Sequence, residues 1–220
     1  MKNTIIIFLF IFSIAASAQV RNYKKPAANT PQAKSQPQKK TTKYNSSNAD
    51  TDSKFGIVGG LLISNETGDD IENASSRTGF FAGFSYKTNF SETIGLETNL
   101  VYATMGAVFK DEFNEDLKDN LDYLQLPIML NIKASKVVNF KIGPQLGYLM
   151  SATIDGNDYI EYLNTLDYGV VAGVGIDFPN TNFGINSKFY YGLADIYNEE
   201  YGFDNPVTNT SFSVGIHYYF

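Results

Sequence analysis

Glu97, Lys141 and Lys188 are the residues of this chain with the most chemistry to offer, because each is a charge set at an alternating position among apolar neighbours. Counted from the nearest short turn, all three fall at similar heights in their segments. If those segments are strands of one closed sheet, the three charges share one interior. Buried charges need partners. An ion or substrate path is one reading, and a salt-bridged plug is the other. The plug is favoured, since a small barrel leaves an interior that side chains just fill.

Other catalytic chemistry has little to stand on. The chain has one histidine, His217, and no cysteine, so thiol nucleophiles, thiolate metal sites and disulfides are absent. A serine hydrolase needs nucleophile, base and orienter within hydrogen-bond reach, and there is no G-x-S-x-G turn. We therefore expect no enzyme, no cofactor and no metal centre, with His217 filling the interior as a neutral hydrogen-bonded side chain. Asp155, Asp158 and Glu161, in the stretch DGNDYIE, have oxygen ligands at useful spacing for a cation but lack the EF-hand order. Solvated loop charge is the default for them.

The elements that must position these residues are strands. Thr210 to Phe220 reads TSFSVGIHYYF: Phe212, Val214, Ile216, Tyr218 and Phe220 make one apolar face, and Ser213, Gly215, His217 and Tyr219 make a smaller one. Strict period two means a strand. We expect it to pair with an early strand and close a cylinder, its large residues turned to lipid. Seven more candidates precede it, at about 55–64, 78–88, 93–108, 121–133, 138–151, 166–178 and 183–197. Short turns at 89–92, 134–137 and 179–182 alternate with long polar loops. That asymmetry belongs to an outer-membrane barrel with short periplasmic turns. Phe55, Tyr86, Phe140, Phe178, Phe183 and Phe220 fall at the short-turn ends, where an interfacial aromatic girdle sits.

The ends of the chain carry different information. Met1 to Ala18 pairs Lys2 and an apolar core with Ala16-Ser17-Ala18, which reads as a secretory signal peptide. Residues 19–54 are rich in Pro, Gln and Lys and poor in core formers, so a disordered periplasmic leader is expected. That leader has eight basic against two acidic residues, whereas 55–220 has eight against 21, and the two segments are charged oppositely. The leader's charge comes with no motif or aromatic interleaving, so it reads as a spacer. The acid is concentrated in the outer loops, among them Glu66, Asp69, Asp116 and Asp119. Such loops are where adhesion or partner binding resides.

The segments YLQLPIMLNIK (123–133), FKIGPQLGYLM (140–150), DYGVVAGVGIDF (167–178), FYYGLADIY (189–197) and the closing SVGIHYYF resemble the PorT-like outer-membrane β-barrel family of the Bacteroidota. The likeness runs over 55–220, most recognisably at Pro127, Gly143-Pro144 and Tyr191-Gly192-Leu193. It implies an all-β, eight-stranded antiparallel transmembrane barrel resident in the outer membrane, without an assigned activity in most members. A structural or interaction role follows from it, with outer-membrane lipid and lipopolysaccharide, the barrel assembly machinery and an envelope or secretion-complex protein as partners, and no nucleic acid. Two rival readings stay open: a small ion or solute pore, and a soluble periplasmic calycin-like lipid carrier.

Overall fold

The computed structural model describes residues 53–69, 74–110, 115–198 and 205–220. The expected signal peptide, and the leader up to its last two residues, lie outside them. The strands are β1 (Ser53–Thr67), β2 (Ser75–Asn89), β3 (Ile94–Met105), β4 (Ala107–Lys110), β5 (Asp116–Lys133), β6 (Val138–Ile154), β7 (Asn157–Asp158), β8 (Leu166–Asp177), β9 (Phe183–Gly192) and β10 (Thr208–Tyr219). A 3₁₀ turn at Ile160–Tyr162 follows β7.

Eight of these strands close an antiparallel barrel in the order β1, β2, β3, β5, β6, β8, β9, β10, with β4 and β7 as extensions at the outer rim. The closing strand does what its alternation implies. Gly56 stands opposite Tyr219 and Thr67 opposite Thr208, and the Phe220 N–H donates to the Phe55 carbonyl at 2.8 Å. A closed ladder leaves no unpaired edge, which lipid could not satisfy.

The apolar face points outward. Phe55, Phe84, Leu61, Phe140, Ile216 and Phe220 are all exposed, and Phe220 is 74% accessible. Large apolar residues turned out over a packed interior exclude the soluble carrier, whose apolar set would line a cavity. At the short-turn rim the rings of Phe55 and Tyr86 lie 4.8 Å apart and those of Phe183 and Tyr218 4.7 Å apart. This is the expected girdle.

The inward face is mixed, with apolar side chains standing among the polar ones. Val58, Leu62, Phe81, Val101, Tyr123, Met129, Val171 and Tyr190 are buried inside among the polar residues. A narrow lumen must be filled, and apolar atoms fill it without needing partners. Inward glycines let the strands coil tightly; at Gly83 a Cβ would collide with the Leu100 carbonyl on the neighbouring strand.

Several strands run past the lipid band at the outer end. Outward residues of β1 are apolar from Phe55 through Ile63 and then Asn65 and Thr67; those of β5 start as Asp116, Lys118, Asn120 and Asp122 and become apolar only at Leu124. β3 breaks at Gly106, whose φ of 121° suits glycine, before β4 resumes the rim. β9 is shorter than the expected 183–197: it stops at Gly192. The chain then turns inward, burying Ala194 and Ile196, and the Ile196 N–H donates to the Val207 carbonyl at 2.9 Å.

Candidate functional site

The short turns, the start of β1 and the end of β10 lie on the periplasmic side, so height in the lumen can be counted from them. Just inside that mouth, Asp177 of β8 is a hub. Lys87 donates to its Oδ2 at 3.0 Å and the Asn139 amide donates to the same oxygen at 3.2 Å. His217 Nε2 lies 3.0 Å from Oδ1, and Asn186 Nδ2 lies 3.4 Å from His217 Nδ1. A neutral ring that donates from Nε2 and accepts at Nδ1 satisfies both neighbours. Among the described residues no hydroxyl hydrogen-bonds to either ring nitrogen.

Below this hub the mouth opens as a vestibule of about 770 Å³, lined by Lys54, Lys87, Lys133 and Lys136 with Glu92 and Asp177 as its acids. Its balance is positive.

One layer further in, the Lys141 ammonium donates to Glu97 Oε1 at 2.7 Å, and the Asn131 amide donates to Oε2 at 3.2 Å. The two charged side chains are 1% and 5% exposed. Lys188 faces the same layer, within electrostatic reach of Glu97 and Lys141, but joins no ion pair among the described residues; its ammonium lies 5.0 Å from the centroid of the Phe81 ring. A cation over a ring face is stabilised by the ring quadrupole. Lys188, Gln125, Gln145 and Ser213 line a void of about 20 Å³, enough for one water. Phe81 and Asp177 were the unforeseen members of the site. Alternation puts both on the inner face, but nothing in the sequence says which residues meet across the lumen.

The outer half of the lumen is filled and capped. Tyr190 donates to Asp167 Oδ1 at 2.9 Å, and the Asn209 amide donates to Asp167 Oδ2 at 3.2 Å and to the Tyr123 hydroxyl at 3.1 Å. Above them Glu66 and Asp119, expected as solvated loop carboxylates, are each only 1% exposed. Tyr159 donates to Asp119 Oδ1. Burial and the adjacent Asp119 carboxyl hold the Glu66 pKa well above its ordinary value. The same two influences push the Tyr159 hydroxyl far up. Asp155 and Asp158 are exposed instead and occupied with backbone: Asp155 accepts from the Lys118 N–H at 3.2 Å and Asp158 from the Ile160 N–H at 3.0 Å. Glu161 is exposed beside them, and the described residues hold no group of three or more His, Cys, Asp or Glu that could bind a metal.

Comparison with known proteins agrees with this architecture. The outer membrane protein beta-barrel domain matches residues 30–198. The chain belongs to this family. Its barrel is similar to the crystal structure of Neisserial surface protein A, at 14% identity and a TM-score of 0.54, over 76% of this chain and 97% of that one. Ail, the attachment invasion locus protein of Yersinia pestis, is 17% identical over 76% of this chain and 98% of its own, with a TM-score of 0.45. The E. coli outer membrane protein W is 15% identical, covering 76% of this chain and 97% of that one, with a TM-score of 0.39. No curated protein matches the sequence. The protein is an outer-membrane β-barrel.

Proposed function

We propose that the protein is a non-conducting membrane anchor that presents acidic loops outside the cell and a basic vestibule to the periplasm, serving as an accessory of an envelope or secretion complex. The observation that carries this reading is the Glu97–Lys141 layer. Its side chains are almost wholly buried, and the cavity found above it is water-sized, about 20 Å³. A pore needs a continuous water column, and a lumen packed at interior density has none. The large vestibule is the feature a pore reading would use, but it leads to this sealed layer.

An interaction role then falls to the surfaces at the two ends. The PorT-like resemblance of 123–133 and 140–150 favours a secretion or envelope assembly as the partner, with outer-membrane lipid around the girdle and the barrel assembly machinery inserting the chain. No step of the reading requires catalysis. Crosslinking on intact cells tests it. The wild-type chain should form a discrete crosslinked complex with an envelope protein. A variant with Asp155, Asp158 and Glu161 neutralised, or one lacking the basic leader, should lose that complex while the barrel persists. A wild-type barrel that crosslinks only to lipid would overturn the proposal.

A further inference from the structure

The outer end of the lumen holds more acceptors than it has donors. Neither carboxylate oxygen of Glu66 has a donor within hydrogen-bond distance, although the Tyr197 hydroxyl stands beside it, and Asp119 Oδ2 and Asn209 Oδ1 have none either. All three residues are at least 99% buried. They come from three strands that converge there. Glu66 of β1 stands directly opposite Asn209 of β10 on the inner face, and Asp119 of β5 lies beside Glu66. The Asn209 amide is fixed by its two acceptors, Asp167 and the Tyr123 hydroxyl, which turns its carbonyl oxygen away from them.

The groups that bear on Glu66 and Asp119 are the phenols of Tyr123, Tyr159 and Tyr197, with Asp167 and Asp195 farther out. The nearby cation is Arg77 of β2, which stands opposite Ser64 on the inner face, and it is engaged by the Met105 carbonyl, to which it donates at 2.6 Å. Two adjacent carboxyl groups in a sealed site cannot both stay charged without a cation or a proton. One proton satisfies one orphan acceptor. A hard cation satisfies all four.

We propose that Glu66, Asp119 and Asn209 bind a calcium ion that ties β1, β5 and β10 together beneath the outer loops. The donor set is all oxygen, two carboxylates and an amide carbonyl, with the Tyr197 hydroxyl beside Glu66 as a further ligand. Calcium fits better than magnesium, because magnesium usually keeps several waters and this position is sealed from solvent. The site lies beyond the lipid band, since the outward neighbours of Glu66 are Asn65 and Thr67 and those of Asp119 are Lys118 and Asn120.

Terbium luminescence tests the site, because the chain has no tryptophan and the surrounding tyrosines would sensitise a lanthanide bound among them. The full chain, refolded in detergent and stripped with EDTA, should show saturable terbium emission that calcium displaces at concentrations at least tenfold below those of magnesium. Glu66→Gln and Asp119→Asn should each weaken terbium binding at least tenfold, whereas neutralising Asp155, Asp158 and Glu161 should change it less than twofold. Calcium should also raise the thermal unfolding midpoint of the wild type by several degrees, a readout that stands even if a variant fails to fold. Terbium binding by Glu66→Gln equal to that of the wild type would overturn the proposal. So would a wild-type midpoint that responds to protons and not to calcium between pH 5 and 8, which would assign the pair a shared proton instead.

Discussion

Glu97 and Lys141 meet at 2.7 Å although their strands, β3 and β6, do not pair; β5 runs between them and contributes Asn131 to the same carboxylate. The ion pair therefore spans three adjacent strands from the inside. Its energy depends on every one of them being in register.

Removing one partner should cost more than removing both. Glu97→Ala leaves Lys141 buried without an anion, at a cost of about 3–5 kcal/mol. Adding Lys141→Met should restore part of that loss, because the stranded charge goes too. Urea unfolding in lipid vesicles, followed by the gel shift of the folded species since no tryptophan reports it, measures the cycle. Strictly additive losses would mean the pair is solvated.

Asp177 should matter less and show itself differently. Its side chain is 34% exposed, so water can replace part of what Lys87 and His217 lose, and Asp177→Ala should cost about 1–2 kcal/mol. The sharper readout is nitrogen NMR of His217, where loss of the carboxylate should remove the tautomer preference that the Nε2 contact imposes. An unchanged tautomer ratio would show that Asn186 alone sets it.

The closing strand should be indispensable. Truncation before Thr208 removes the partner of β1 and β9 at once, exposing two edges to lipid. The full chain should migrate differently in SDS gels before and after boiling. The truncated chain should show one migration and fail to fractionate with outer membranes.

How much of this the sequence disclosed depends on where in the barrel one looks. Within the lipid band, alternation is forced by two opposite solvents, so Phe212 to Phe220 announced both a strand and its outward face. Beyond the band the contrast weakens: Asp116 to Asn120 is polar but for Leu117 and read as loop, which hid the burial of Asp119. Glu66 was hidden in the same way at the end of β1. The bulge in β6 near Met150, where Tyr123 pairs with Leu149 but Asp122 with Ser151, shifted the parity of that strand's outer end. The pairing of Glu97 with Lys141 followed from height above the turns. That of Asp177 with Lys87 and His217 did not, because contacts across a lumen depend on closure and tilt, which no single strand carries.

Stability of the outer end should fall with rising pH when calcium is absent. The native pKa of Glu66 is raised, so its protonated form is favoured by folding. That contribution is complete below the unfolded value of about 4.3 and is lost as pH climbs through the native one. In EDTA the wild-type melting temperature should drop over this interval, and Glu66→Gln should flatten the drop. A melting temperature that rises with pH in the wild type would reverse the assignment.

Conductance across planar bilayers tests the sealed lumen most directly. Purified wild-type barrel, shown to be folded by its gel shift, should insert without steady single-channel openings, and Glu97→Ala should raise leakage only as it loses stability. Steady wild-type openings, with ion selectivity altered by Glu97→Ala at undiminished stability, would contradict the closed anchor and make the protein a channel.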